Sequence, residues 1–468
     1  MSDTPKPPAG SNEGRFEQLK RKVIKINSVS PTFCTAKWLT STTTLYNGFT
    51  HSCHHPSAHK IQLDDLDKSP SSLHNTPVKI AARKDMIDGI QTKECDYCWN
   101  IENLEGEHFS DRHYKTSNVG MGLWSRFDEV AASGVGENIN PAYLEVAFES
   151  TCNFKCTYCS PDVSSRWMEE IQQHGGYQLV NGQVHHDLNW QKHIGKFPIH
   201  HKEHNPYIAK FWEWWPELFK TLNTFRITGG EPLLSQNTWK IFDYVIENPR
   251  PELKIQINSN FGVPAKLVEK MVSKINDLQE KCGDITVFTS AESVGAHAEY
   301  SRFGMDWSLF TQNVNFYLTN TPNNVKLNFM TTVDIFASAS FDAFVRYVCG
   351  LRKQFDTDRA NSRVGFGVNY LRWPKHQQIT LLDKTQKDIF ATKMRQVIVD
   401  LTQGGFEIAG NLYMEEVDQI ERLIDWMYSQ EPTEEELNNF RNVFEEMDSR
   451  RGTNLISTFP HLINVFSG

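Results

Sequence analysis

Leu144-Glu145-Val146-Ala147-Phe148-Glu149-Ser150-Thr151-Cys152-Asn153-Phe154-Lys155-Cys156-Thr157-Tyr158-Cys159 is the stretch on which the fold turns. An apolar strand, Leu144 to Phe148, runs into a loop whose three cysteines are spaced C-x3-C-x2-C. Thiolates held that close suit an iron–sulfur cluster better than a disulfide or a closed zinc site. A cubane has four irons, so three cysteines leave one iron open to a ligand that is not protein. A zinc site completed by a distant residue is the other use of such a triplet.

A second pattern follows at Phe225-Arg226-Ile227-Thr228-Gly229-Gly230-Glu231-Pro232, an apolar strand that ends in GGEP. Alone, Gly-Gly and Glu-Pro are ordinary turn dipeptides. Each motif lies at a strand's end, and their order along the chain carries the weight.

The string CNFKCTYC, with Tyr158 before its last cysteine, resembles the cluster-binding signature of the radical S-adenosylmethionine (radical SAM) enzymes, and GGEP resembles their second motif. The resemblance implies that Cys152, Cys156 and Cys159 ligate a [4Fe-4S] cluster. It also implies that Gly229, Gly230 and Glu231 present backbone to the methionine amino group of S-adenosyl-L-methionine, where a side chain would block approach. Asn258-Ser259-Asn260 stands where the family carries a turn near the ribose. Ser290-Ala291-Glu292 resembles its Ser-x-Asp element, with Glu in place of Asp, and Arg302 resembles its downstream Arg-x-Gly arginine. Asn258, Ser290, Glu292 and Arg302 are thereby candidates for the ribose hydroxyls and the carboxylate, beside Tyr158. No general acid or base is assigned.

Working outward, apolar runs recur at Leu144–Phe148, Thr224–Thr228, Leu253–Ile257, Ile285–Thr289, Val325–Thr332 and Val364–Tyr370. Their continuous apolarity predicts parallel strands buried on both faces. Helical segments lie between most of them. The clearest, Pro264 to Lys281, puts Leu267, Val268, Met271, Val272, Ile275 and Leu278 on one face, and others start near Asn237, Asp306 and Ser340. The expected class is α/β. The resemblance makes it a partial (β/α)6 TIM-like barrel, with an N-terminal Cys-rich metal-binding region and a C-terminal helical extension. Both motifs then fall at the C-terminal strand ends, where such barrels keep their sites.

Cys34, Cys53, Cys95 and Cys98 form a further set, C-x13-G-x4-C followed by a distant C-x2-C. It resembles the twitch domain, the shorter relative of the SPASM domain, which ligates an auxiliary [4Fe-4S] cluster. Here it precedes the barrel instead of following it. A structural zinc site uses the same four thiolates, and His54, His55 and His59 beside Cys53 keep mixed ligation open. Cys282 and Cys349 lie within helical patterns and read as buried bystanders.

The domain reading is a disordered tail at 1–30, the twitch-like region at 31–120, the barrel at 141–375 with an insertion at about 161–222, and the helical extension at 376–468. The basic stretch Lys20 to Lys25 reads as a solvated tail. The insertion holds His174, His185, His186, His193, His200, His201 and His204 and reads as a polar surface segment beside the cluster, a lid or substrate wall. Phe211-Trp212-Glu213-Trp214-Trp215 reads as a helix packed on the barrel. Thr433 and Glu436 form a capping box for a helix ending near Gly452, with Leu437, Phe440, Val443, Phe444 and Met447 facing a core, and Phe459 to Leu462 dock behind it.

A net charge of -9 argues against nucleic acid as partner. No segment reads as a signal peptide or a membrane span, and cysteines kept as thiolates imply a reducing cytoplasm. The resemblance implies reductive cleavage of S-adenosylmethionine to a 5′-deoxyadenosyl radical that takes hydrogen from a substrate, with a reductase, flavodoxin or ferredoxin as electron donor. A peptide or protein leads as substrate. A small-molecule step, as in deazapurine or cofactor biosynthesis, is the alternative among enzymes, and a non-catalytic zinc-binding scaffold the alternative outside them.

Overall fold

The computed structural model describes residues 12–467 apart from Glu137, Thr357, Asp358 and Ala360. The class is α/β. Nine strands form the large sheet: β1 (Thr40–Thr44), β2 (Phe49–His51), β3 (His59–Lys60), β4 (Tyr143–Ala147), β5 (Thr224–Thr228), β6 (Lys254–Asn258), β7 (Ile285–Ser290), β8 (Lys326–Met330) and β9 (Val364–Gly367). Their order is β9-β8-β7-β6-β5-β4-β1-β2-β3. Strands β6 to β9 pair in parallel and in chain order, with Ile257 beside Val287 and Val287 beside Leu327. All six expected strands are present within a few residues of their expected ends.

Burial along these strands alternates, which corrects the expectation of two apolar faces. Ile255, Ile257, Leu327 and Phe329 are buried, while Gln256, Asn258 and Asn328 between them are half-buried. One face packs under helices and the other is polar. The helix Ala265–Leu278 supplies part of the cover, burying Val268, Met271, Val272, Ile275 and Leu278. Asp306 caps the helix Trp307–Asn320 by accepting from the Leu309 N–H. Near Asn237 the cap is Ser235 instead, and the Ser340 hydroxyl accepts from the Val294 N–H instead of capping its own helix.

The chain divides into two compact units. The first runs to Phe148 and takes in Ile199–Ile227 and Glu252–Lys254. A helix over Asn12–Val29 replaces most of the expected disordered tail; residues 1–11 lie outside the described residues. Ile26 on that helix is buried in a core with Phe33, Trp38, Met86 and Phe127. The basic stretch is likewise engaged, since Lys20 pairs with Glu107 at 2.6 Å and Lys25 with Asp128 at 2.7 Å. The aromatic helix, Pro206–Phe219, buries Phe211, Trp214 and Trp215, with Phe211 on Phe148 and Trp215 on Phe225.

The second unit comprises Glu149–Pro198, Thr228–Pro251 and the chain from Ile255. The expected insertion is therefore divided between the units, and the expected barrel boundary at 141 falls inside the first. The capping box forms, with Thr433 and Glu436 exchanging hydrogen bonds at the start of the helix Glu434–Arg451, and Gly452 ends it at φ 65°. Leu437 is only half-buried; Phe440, Val443, Phe444 and Met447 are buried. Cys282 and Cys349 are buried, as expected. Among the described residues, no helix is long and apolar enough to cross a membrane.

Phe459 is fully buried, 5.0 Å from the Phe336 ring and 5.1 Å from Tyr300. Replacing it with alanine removes this anchor of the C-terminal segment, at a cost of about 3–5 kcal/mol. The urea midpoint of F459A should fall accordingly, and an unchanged midpoint would show that the segment does not support the unit.

Candidate functional site

In the second unit the cysteine loop follows β4 and leads into the helix Ser165–His174. Ser164 caps that helix and donates to the Phe154 carbonyl at 2.6 Å, and the Cys152 N–H donates to Ser165 Oγ at 3.1 Å. Lys155–Cys156 pairs with Arg302–Phe303 in a two-stranded ladder, and Trp167 Nε1 donates to the Cys156 carbonyl at 2.7 Å. The loop is thus fixed along its length. Its sulfurs face inward: the Phe154 N–H donates to Cys152 Sγ at 3.4 Å, and Arg302 Nη1 reaches Cys156 Sγ at 3.8 Å. Burial pushes the Cys152 thiol up to about 12, with the neighbouring Cys156 adding to the effect. Burial, then Cys156 and Cys152, raises Cys159 as well. Ligation here must therefore displace protons.

The GGEP bend lies against this loop. The Gly230 N–H donates to the Glu149 carbonyl at 3.1 Å and the Glu231 N–H to the Thr151 carbonyl at 2.8 Å. A Cβ on Gly230 would stand 2.4 Å from the Thr151 oxygen, so no other residue fits without moving the loop. Glu231 is buried and accepts from the Leu233 N–H at 3.0 Å and the Asn260 N–H at 2.6 Å. Burial pushes its carboxyl up to about 7 against those bonds. Asn260 in turn donates to Asn153 Oδ1 at 2.8 Å, and Asn153 donates to the Gly262 carbonyl at 2.8 Å. Asn153 lies inside the cysteine motif, but nothing in the spacing assigns it this linking role. Asn258 ends β6 half-buried, and Ser290 ends β7 half-buried.

Glu292 and Arg302, which the resemblance makes cofactor contacts, are brought together. They form a buried bidentate pair, Nε to Oε1 at 3.0 Å and Nη2 to Oε2 at 2.7 Å, and Arg302 also donates to the Tyr158 hydroxyl. Arg302 is itself buried. Its guanidinium is occupied by Glu292 and Tyr158, where the resemblance implies that it meets a carboxylate of the cofactor.

Behind the loop, Glu170 is buried and pairs with Lys155 and with Arg451 at 3.1 Å, while Tyr177 donates to it at 2.5 Å. His174, His193, His200, His201 and His204 are exposed, as a polar surface segment requires. His185 and His186 are buried, which corrects that expectation for these two.

In the first unit, Cys34, Cys53, Cys95 and Cys98 line one small cavity of about 20 Å³, together with Lys37, Arg112 and Lys115. Cys34 comes from the turn before a short helix, Cys53 from the segment after β2, and Cys95 and Cys98 from the start of the helix Asp96–Glu102. Burial pushes Cys95 up to about 12 against the pull of Lys37, and Cys98 up to about 11. Burial works against the Lys37 charge, but Cys95, Glu94 and Cys53 outweigh it and hold the ammonium above its usual range. A buried cation beside four sulfurs fits the net negative charge of a four-thiolate metal centre, zinc or cubane. His55 lines the same cavity, with Nε2 on Asp111 at 2.7 Å and its ring stacked on Tyr97, while His59 bonds Thr76 at 2.8 Å away from it. Mixed Cys/His ligation therefore loses support at His59 and stays open at His55.

Among the described residues, no group of three or more His, Cys, Asp or Glu side chains is already set to hold a metal ion. No protein-family model matches the chain, and no curated protein matches it.

Asp334 adds a titratable group near Glu292. It is fully buried and accepts from the Ala337 N–H at 3.0 Å and Gln377 Nε2 at 2.7 Å. Burial and the Glu292 charge push it up to about 7, against a value near ~3.9 in the unfolded chain. The folded state therefore favours the protonated form, and this contribution is full below the unfolded value and lost as pH rises through about 7. Gln377 Oε1 has no partner and becomes an acceptor for a neutral side chain if the amide turns over. D334N should gain melting temperature relative to the parent at pH 8 compared with pH 5. An equal difference at both values would remove Asp334 as the source.

Proposed function

We propose that the chain is a radical SAM enzyme, with Cys152, Cys156 and Cys159 holding a [4Fe-4S] cluster. One observation carries this: the two motifs of the resemblance, far apart in sequence, meet backbone to backbone through Gly230, Glu231, Glu149 and Thr151. Strands β4 to β9, neighbours in chain order, are read as the partial barrel, with both motifs after strand ends. When bound, the cluster supplies the electron for reductive cleavage of S-adenosylmethionine to methionine and the 5′-deoxyadenosyl radical.

The chain's own residues bind and orient. The N–H groups of Gly230 and Glu231 are spent on the loop, and an ammonium is a donor, so the bend offers the methionine amino group its carbonyls. Glu231 fixes the turn at Asn260 against the bend. The Glu292–Arg302 pair, with Tyr158, holds a cation against the Cys156 sulfur, where it stabilises negative charge on the loop. The N-terminal site is proposed as an auxiliary [4Fe-4S] centre, with zinc as the other occupant of the same four thiolates. The hydrogen donor is proposed to be a peptide or protein, and the electron donor a reductase, flavodoxin or ferredoxin of the cytoplasm.

Iron, sulfide and zinc content after anaerobic reconstitution tests both sites. About eight irons per chain are expected, and about four plus one zinc if the N-terminal site is structural. Alanine at Cys152, Cys156 and Cys159 should remove about four irons, abolish cleavage of S-adenosylmethionine and erase the paramagnetic signal that the cofactor perturbs. Alanine at Cys95 and Cys98 should leave cleavage largely intact. Zinc without iron, or cleavage that survives loss of the three cysteines, would overturn the proposal.

A further inference from the structure

Beside the cysteine loop lies a cavity of about 1070 Å³. Its wall begins at Ser160 and Asp162, directly after Cys159, and continues through residues 179–196, 373–376 and 433–439. A volume at the upper end of the ~300–1,000 Å³ range of small-molecule sites suits a ligand larger than one metabolite.

The wall has a definite chemistry. It carries four carboxylates, Asp162, Asp187, Glu435 and Glu436, against two ammonium groups, Lys196 and Lys375. Lys375 already stands 3.6 Å from Glu436. Two indoles line the same space while largely exposed, Trp190 at 59% and Trp373 at 63%. An indole face attracts ammonium and guanidinium groups. A carboxylate-rich rim attracts the same groups and repels phosphates.

The floor is built. The His185 ring lies 3.8 Å from that of His186, tilted by 34°, and meets His376 edge-on at 5.0 Å, and all three are buried. Packed this closely, and uncharged in burial, they bring no positive charge to the cavity. His186 is held at φ 64°, a backbone conformation that costs a β-carbon residue energy, and its Nε2 is buried without a hydrogen-bond partner.

We infer that this cavity binds a cationic segment of polypeptide, its lysine or arginine side chains seated against Trp190, Trp373 and the carboxylate rim. Calling that segment the substrate rests on the radical SAM reading above; the binding does not. The same chemistry disfavours a nucleotide or other phosphorylated small molecule as occupant.

The test uses the full chain, with and without reconstitution, and three probes: a labelled Lys-Ala repeat dodecapeptide, its Glu-Ala counterpart, and ATP. The basic peptide should bind, more weakly as salt rises, and lose at least about tenfold in affinity with W373A and with E435Q. Both positions are exposed, so the fold should survive both changes, and W190A provides a second indole variant. Glu445 is exposed on the same helix outside the cavity, and E445Q should leave binding unchanged. Failure of the basic peptide to bind, equal binding of the acidic peptide or ATP, or affinity indifferent to W373A and E435Q would overturn the inference. Cavity-dependent binding by a protein that does not cleave S-adenosylmethionine would leave the binding site standing and defeat the proposed reaction alone.

Discussion

Everything in the candidate site of the second unit hangs on how closely the GGEP bend approaches the cysteine loop. Two backbone hydrogen bonds, at 3.1 and 2.8 Å, need the Gly230 backbone so near Thr151 that a β-carbon would overlap its carbonyl. Glycine is there to allow contact between two pieces of main chain, and at Gly229 also for a φ of 118°. With the approach made, Glu231 reaches the Asn260 N–H, Asn260 reaches Asn153, and Asn153 closes back on Gly262, whose own lack of a side chain admits the Phe154 ring. The loop's shape is thereby set from three directions before any metal arrives.

Buried charge is organised in one manner at both cysteine sets. Arg302 is matched by Glu292, Lys155 and Arg451 by Glu170, Lys37 by Glu94, and Arg112 by Glu102 at 2.6 Å. Pairs of this kind add little to stability once desolvation is counted. Their effect is positional: each carboxylate keeps a cation fixed within reach of sulfur, so that negative charge arriving on the thiolates meets a field already oriented.

The strands and the two motifs were legible because each writes itself into a short stretch: an apolar run, a fixed spacing of cysteines, a pair of glycines. The errors came where a property depends on what lies opposite. Lys254-Ile255-Gln256-Ile257-Asn258 alternates on inspection, yet beside its neighbours it passes for an apolar run. That Glu292 and Arg302 pair with each other is likewise foretold by no spacing rule. Glu170 and Asp334 act through partners distant in sequence and carry no local signature, and Asn153, though inside the cysteine motif, shows its role only through Asn260 and Gly262. His185 and His186 belong to a polar segment by composition and to a buried cluster by packing. The N-terminal helix is illegible for a related reason, since its apolar content is sparse and only the packing of Val23, Ile26 and Val29 shows what holds it.

The two cysteine sets also differ in what metal binding asks of the chain. Cys152, Cys156 and Cys159 lie on one loop whose geometry is held by hydrogen bonds among protein groups, so ligation there draws on a framework that already exists. Cys34, Cys53, Cys95 and Cys98 come from three separate segments, joined by chain that must first take its place around Lys37 and Arg112. In an unfolded chain those four sulfurs are far apart, and gathering them costs loop-closure entropy that folding of the first unit has to supply. A metal bound by all four therefore stabilises that unit by its binding free energy, as a crosslink would. A cubane held by the loop's three cysteines alone would keep one iron open, an arrangement suited to chemistry more than to support.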